Sequence, residues 1–203
     1  MNKKGLAPRP IETDNIMTDK KIGILGSAFN PPTLGHLDVL EQARQQFDLI
    51  LLVPSAAHAF SKPMLPFHHR LAMCQQLVNS VQLPQCQLEV SEIEQEMLAD
   101  NPGKPVYTFD LLALLEQKYP GAQLGFIRGP DNADPQTWKR FYRSEDIEQR
   151  WQVFTARERQ KIRSTQVREL LVSGSPDDNN KEAVAALLLP SVHDYILQHH
   201  LYQ

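Results

Sequence analysis

The sequence predicts one α/β domain built on an open, doubly wound sheet of parallel strands. Short apolar runs alternate with amphipathic stretches at helical spacing along residues 21–203. One run, from Leu49 to Val53, has no polar member, as expected of a strand covered on both faces. Strand–helix alternation of this kind implies parallel pairing through right-handed crossovers. The 203 residues, 41% hydrophobic and 22% charged, supply enough apolar material for one sizeable core and exclude wholesale disorder.

Taken in order, Ile22, Ile24 and Leu25 mark a first strand ending at Gly26. Leu37, Leu40, Ala43 and Phe47 predict a helix from about Thr33 to Phe47. The buried run that follows is stopped by Pro54. Phe67, Leu71, Cys74, Val78 and Val81 step by four and three, the apolar face of a second helix. Residues 87–93, with Leu88, Val90 and Ile93, read as a third strand. Thr108 is placed to cap a helix whose inner face carries Leu111, Leu112 and Leu115. Leu124, Phe126 and Ile127, then Trp151, Val153 and Phe154, supply two more strands. Ser164 reads as the N-cap of a helix containing Val167, Leu170 and Leu171, closed by Gly174. Ser191 precedes a last helix with Val192, Tyr195 and Ile196. Residues 175–181 read as a loop. Residues 1–20 read as a flexible leader ahead of a domain spanning 21–203, with Met17 an alternative start.

Composition removes several function classes. A net charge of −3, from 21 Lys and Arg against 24 Asp and Glu, lacks the basic face that nucleic-acid backbone requires. No apolar run approaches the length of a membrane span, and the leader has no apolar segment of the signal-peptide kind. Cys74 and Cys86 form neither a disulfide framework nor a zinc pattern, so a reduced, cytoplasmic protein is expected. His68, His69, His199 and His200 lack partners at metal-ligand spacing, and no protein metal site is predicted. Homo-oligomerisation is left open.

In an open α/β sheet the ligand lies beyond the carboxyl ends of the strands. The first such loop runs from Gly26 to His36 and is neither a dinucleotide fingerprint nor a phosphate loop of the Walker kind. It still has parts suited to phosphate. Gly26 allows close backbone approach, and Pro31 and Pro32 stiffen the entry to a helix. Thr33 and His36 then share a first helical turn, where free N–H groups and the dipole attract anions, with Gly35 leaving room beside them. Thr33 or His36 alone is equally compatible with an ordinary capped helix.

The whole string resembles the G-x-F-[DN]-P-x-[HT]-x-G-H element of the nucleotidyltransferase superfamily, and Ile162 to Arg168 resembles its second element, I-S-S-T-x-[IV]-R. Arg128, Gly129, Pro130 and Asp131, with Trp138 shortly after, are similar to the F-[IV]-x-G-x-D and tryptophan of the nicotinate mononucleotide adenylyltransferases. Tyr107, Thr108, His58, Lys62, Arg70 and the ending from Leu188 to Tyr202 extend that likeness over residues 21–202.

The resemblance implies a Rossmann-like fold and a reaction. ATP and a pyridine mononucleotide, nicotinate mononucleotide favoured, would give a dinucleotide and pyrophosphate in NAD biosynthesis. It assigns nucleotide binding to Gly26, Ser27, Phe29, Asn30, Gly35, His36, Gly129, Asp131, Ser164, Thr165 and Arg168. His36 would donate to the α-phosphate, Thr33 would position a phosphate through its hydroxyl, and Ser164, Thr165 and Arg168 would hold the departing phosphates. Lys62 would neutralise phosphate, or stand as a solvated lysine. Tyr107 and Thr108 would contribute to the acceptor site, and Trp138 would stack on the pyridine ring. Mg²⁺ would be bound through the ATP phosphates rather than a carboxylate cage.

Two departures keep other readings open. Thr33 replaces the first histidine of the commonest nicotinate motif, and only eight residues separate Thr155 from Ser164. Both features resemble the pantetheine-phosphate adenylyltransferases, although their R-G-L-R-x-x-x-D-[FY]-E string is missing. The alternatives are therefore another phosphorylated acceptor, phosphopantetheine first, or a nucleotide-binding relative without turnover.

Overall fold

The computed structural model describes residues 19–56, 64–172 and 178–202. Five parallel strands form one sheet in the order β3-β2-β1-β4-β5. They are β1 (Lys21–Ser27), β2 (Leu49–Pro54), β3 (Gln87–Val90), β4 (Gln123–Arg128) and β5 (Gln152–Thr155). Helices α1 (Leu34–Ala43), α2 (Phe67–Ser80), α7 (Ser164–Val172), α8 (Asp178–Ala185) and α9 (Pro190–Gln198) cover one face. Helices α3 (Ile93–Asp100), α4 (Thr108–Lys118), α5 (Pro135–Trp138) and α6 (Ser144–Arg150) cover the other.

The all-apolar β2 shows why the sheet needs both layers. Ile50 and Leu52 point into the core shared with α1 and α2, while Leu49, Leu51 and Val53 point into the core shared with α4. Every residue of β2 is buried. Period-two alternation thus divides one hydrophobic string between two cores. Phe47, just before β2, lies over paired glycines. A Cβ on Gly23 would stand 2.7 Å from its ring and one on Gly125 2.6 Å, and these glycines are register partners in β1 and β4.

Several boundaries move from the sequence expectation. Thr33 is the N-cap of α1 rather than a helical residue, and the helix ends at Ala43, before Phe47. The third strand stops at Val90. Ile93 instead opens α3, where it is buried against the α4 side; three residues after Val90, it fits a helical step as well as the opposite strand face. Tyr107, not Thr108, is the N-cap of α4, and Trp151 precedes β5 rather than opening it. Ser164 is the first residue of its helix, and the last helix begins at Pro190 with Leu189 as N-cap. Part of the expected 175–181 loop is helical from Asp178, while Gly174 lies outside the described residues. The short helices α5 and α6 carry no long apolar stripe and were not foreseen.

The sheet order fixes where a ligand can enter. Chain crossovers leave β1 toward β2 on one side and reach β4 on the other, so the strand order reverses between β1 and β4. Pairing of β1 with β2 continues to Ser27↔Pro54, whereas pairing with β4 ends at Ile24↔Phe126. Beyond that point the two central strands part. A crevice opens between the segment after β1 and the segment after β4.

Candidate active site

A cavity of about 630 Å³ fills that crevice. Of the residues singled out from the sequence, Gly26, Ser27, Gly35, His36, Gly129, Asp131, Ser164, Thr165 and Arg168 border it. Gly26 and Gly129 face open space: a Cβ built on either meets no atom within 4 Å, so side chains there would occupy the room left for a ligand. The two motifs are joined directly. A Cβ on Gly35 would lie 2.5 Å from the backbone oxygen of Ile162, so only glycine allows the first turn of α1 to pass this close to the second motif.

His36 is the central polar side chain. Its Nδ1 accepts the backbone N–H of Thr33 at 3.1 Å and lies 3.0 Å from Thr33 Oγ1. An amide can only donate, so Nδ1 is unprotonated and the neutral ring carries its hydrogen on Nε2. That Nε2–H donates to Ser27 Oγ at 3.2 Å on the cavity wall. Burial lowers the His36 pKa to about 4, opposed by the Asp131 carboxylate and reinforced by the Arg163 guanidinium. At neutral pH this histidine is an uncharged N–H donor.

Thr33 therefore differs from its expected role. It is 1% exposed, and its hydroxyl turns onto His36 in a reciprocal capping box instead of toward the cavity. Phe29 also departs from expectation. Its backbone is left-handed at φ 46°, its side chain is fully buried, and its ring centroid stands 4.9 Å from that of His36. Core packing claims this ring, which backs the histidine.

The loop after β1 is held by its carbonyls. Arg70, 1% exposed, donates from Nη1 to Ala28 O at 2.8 Å and from Nε to Leu65 O at 3.0 Å. Arg168 Nη1 donates to Asn30 O at 2.6 Å, and Ser164 Oγ donates to Pro31 O at 2.7 Å. The Asn30 side chain is buried away from the cavity, where its Oδ1 accepts from Tyr202 Oη at 2.8 Å and from the Leu65 N–H at 3.3 Å. Asn30 and the Ser164 hydroxyl thus build the loop. Arg168 does so while keeping its charge at the cavity.

The eight residues between β5 and α7 are fastened to α1. Gln42 exchanges hydrogen bonds with the Arg157 backbone at 3.0 and 2.9 Å, and Asp38 pairs with Arg159 at 3.6 Å. Arg163, which the sequence reading passed over, reaches across the cavity. Its Nε and Nη2 contact Asp131 Oδ1 at 2.9 and 2.6 Å, and Nη2 also pairs with Glu158. An arginine immediately before a Ser-Thr helix start was the available signal.

The acceptor residues are not drawn into this cavity. Trp138 is 5% exposed, with Phe126 stacked at 5.9 Å, Phe141 at 4.8 Å and the Arg128 guanidinium at 4.7 Å from its ring. The expected platform for a pyridine ring is thus part of the core in this arrangement, and its indole N–H has no hydrogen-bond partner. Tyr107, beside Thr108 at the start of α4, is exposed and pairs with Tyr142 at 4.7 Å. His58 and Lys62 lie outside the described residues. No described helix is long and apolar enough to cross a membrane.

With this geometry established, comparison with known proteins gives a consistent picture. A sequence model for the cytidylyltransferase-like proteins matches residues 24–170. The chain is 38% identical over 130 residues to a probable nicotinate-nucleotide adenylyltransferase of Myxococcus xanthus, covering 63% of this chain and 64% of that protein. It is 39% identical over 118 residues to the nicotinate-nucleotide adenylyltransferase of Bacillus subtilis, covering 55% and 57%. These matches span less than two thirds of the relatives' lengths. A crystal structure from Vibrio parahaemolyticus, described as a candidate nicotinate-nucleotide adenylyltransferase, matches with TM-score 0.70 and 35% identity over 88% of this chain and 99% of that one. A Plasmodium falciparum nicotinic acid mononucleotide adenylyltransferase complexed with NaAD shares the fold at TM-score 0.64 and 21% identity, over 90% and 97%.

Proposed function

Because the chain belongs to the cytidylyltransferase-like family, we propose that it transfers AMP from ATP to nicotinate mononucleotide, releasing pyrophosphate and forming a dinucleotide for NAD biosynthesis in the cytoplasm. One observation carries the reading. The two helix starts, α1 and α7, meet at a single cavity with an uncharged His36 N–H donor beside them. The similarity to proteins named nicotinate-nucleotide adenylyltransferase supports this choice of acceptor.

The chemistry asks little of the protein beyond alignment and charge stabilisation. The acceptor phosphate is an anion at neutral pH and attacks the α-phosphorus without a general base. The bond from acceptor oxygen to α-phosphorus forms as the bond to the β-phosphate bridging oxygen breaks. His36 Nε2–H, now on Ser27, would turn its hydrogen bond onto an α-phosphoryl oxygen, where negative charge is shared in the transition state. Thr33 keeps Nδ1 engaged and so keeps the hydrogen on Nε2. Thr165, Arg168 and the amide end of α7 would receive the β- and γ-phosphates. Lys62 would add a further positive charge.

Among the described residues no group of three His, Cys, Asp or Glu could hold a metal. Mg²⁺ would enter on the ATP phosphates and offset their charge.

The test is pyrophosphate release by the purified chain with Mg-ATP and, separately, nicotinate mononucleotide, nicotinamide mononucleotide and phosphopantetheine, with products weighed by mass spectrometry. Nicotinic acid adenine dinucleotide is expected. Dephospho-CoA would favour the pantetheine reading, to which Thr33 and the enclosed Trp138 lend support. ATP binding without release from any acceptor would mean a nucleotide-binding protein without turnover.

A further inference from the structure

Ser27 lies on the cavity wall with its hydroxyl against the ring of His36. Counting back from Gly35 and His36, it stands where the first motif of the superfamily has its leading glycine. The hydroxyl is therefore a feature of this chain rather than of the resemblance. Its backbone is fixed as the last residue of β1, in register with Pro54, and its carbonyl accepts the Ser55 N–H at 2.9 Å. A side chain mounted on a paired strand is held more firmly than one on a loop.

The hydrogens in this corner follow from the donors around them. The Thr33 N–H occupies His36 Nδ1, so the ring hydrogen sits on Nε2 and points at Ser27 Oγ, 3.2 Å away. The serine oxygen accepts in this pair, and its own hydrogen must point elsewhere. Among the described residues Oγ has no other hydrogen-bond partner. The last donor of the series thus faces the cavity. Each bond from the Thr33 N–H through the His36 ring to Ser27 polarises the next, which strengthens that final O–H. A phosphoryl oxygen carries lone pairs only, so it can accept from both groups. Their separation suits one such atom: an oxygen about 2.9 Å from each completes a nearly equilateral triangle.

We propose that Ser27 is a further catalytic residue, and that Ser27 Oγ and His36 Nε2 form a two-donor site for one non-bridging oxygen of the α-phosphoryl group of ATP. The proposal rests on the reading that the chain transfers AMP, and it adds a second donor and a handedness at phosphorus. On ATP binding the His36 N–H turns from Oγ onto that oxygen, and the Ser27 O–H meets the same atom. The acceptor oxygen then bonds to the α-phosphorus while the bond to the β-bridging oxygen breaks, and pyrophosphate leaves with the electron pair. Neither Ser27 nor His36 gains or loses a proton; both stabilise the charge that gathers on the shared oxygen.

The experiment is steady-state turnover of the full chain with nicotinate mononucleotide and three donors. These are Mg-ATP and the two diastereomers of its α-thio analogue, each with sulfur in place of one non-bridging oxygen. Ser27→Ala should lower kcat with ATP about tenfold or more and change its KM less than about twofold, the mark of an interaction made in the transition state. Sulfur accepts hydrogen bonds weakly, so the unaltered protein should turn over one diastereomer about tenfold more slowly than the other. In Ser27→Ala that difference should shrink, because one of the two donors is gone. Added to His36→Ala, Ser27→Ala should lower kcat again, since its hydroxyl touches the phosphate itself. Circular dichroism and melting temperature check the fold of each variant. Equal turnover of both diastereomers by the unaltered protein overturns the proposal without any variant. So does near-normal kcat or an unchanged diastereomer preference in Ser27→Ala, or no further loss in the double variant, which would mean that the serine acts only through the ring. Each of these leaves the transferase reading intact. No pyrophosphate release from ATP by the unaltered protein with any acceptor overturns both.

Discussion

Gly35 and Ile162 touch backbone to backbone, and no side chain of any size fits between them. One residue belongs to the first turn of α1 and the other to the segment leading into α7, so this contact sets the distance between two helix starts. Gly35→Ala should therefore act on both stability and binding. Its Cβ meets a carbonyl oxygen at 2.5 Å, and a backbone neighbour cannot rotate aside. A loss of about 1–3 kcal/mol in stability is expected from such overpacking. ATP affinity should fall by more than the same stability loss placed elsewhere would cause. Thermal unfolding and calorimetry on Gly35→Ala beside Gly125→Ala, which overpacks Phe47 away from the cavity, separate the two effects.

His36→Ala should lower turnover about 100-fold or more with the fold intact, as expected for removal of a donor aimed at a phosphoryl oxygen. Circular dichroism checks the fold and pyrophosphate release the rate. Near-normal turnover would rule out the proposed role.

The same histidine makes a pH prediction. Its pKa is lowered to about 4 from an ordinary 6.5, chiefly by burial, so the folded state disfavours the proton. Stability contributed by the neutral ring is present above 6.5 and is lost as pH falls toward 4. An NMR titration should find the His36 ring protons unchanged from pH 8 to about 5. A midpoint near 6.5 would contradict the acceptor role of Nδ1.

Thr33→Val removes the hydroxyl from the capping box and should cost about 1 kcal/mol, the usual worth of an N-cap. Turnover should fall with it because His36 loses a partner at Nδ1, whereas Thr33→Ser should restore both. If Thr33→Val lowers the melting temperature but leaves kcat untouched, the threonine is a cap and nothing more.

Glu94 titrates in the opposite sense. Burial raises its pKa to about 7, while the Ala56 N–H and Arg70 pull the other way. A carboxyl with a raised folded pKa holds its proton better folded than unfolded, so stability declines as pH rises from about 4.5 to about 7. The part due to Glu94 is roughly 3 kcal/mol. Glu94→Gln keeps an acceptor for Ala56 and should flatten that decline. Melting temperatures of both proteins between pH 5 and 8 decide it.

Much of this was legible in the sequence, for reasons that also explain what was not. An all-apolar β2 between amphipathic stretches can only be a doubly covered strand, and Gly26 with His36 after β1 marks a phosphate-type turn. Ile93 was misread because one apolar residue after a short edge strand fits either period. Spacing leaves Thr33 as either a phosphate contact or a helix cap, because it does not say which way the hydroxyl points; in the structure that hydroxyl meets His36. For Trp138, a sequence names the ring, but only the structure shows that Phe126, Phe141 and Arg128 pack around it. Arg163 escaped notice because its partners, Asp131 and Glu158, come from two other segments.

The carbonyls of Ala28, Asn30 and Pro31 are gripped by Arg70, Arg168 and Ser164. Two of those three side chains belong to α7, near the far end of the chain. During synthesis the first strand and its loop leave the ribosome long before α7 exists, and until then nothing closes that grip. Nucleotide affinity should consequently arrive in one late step, after the sheet has formed. A nascent chain halted before residue 164 would lack two of the three side chains that hold the loop, along with the helices α7, α8 and α9 that cover this face of the sheet.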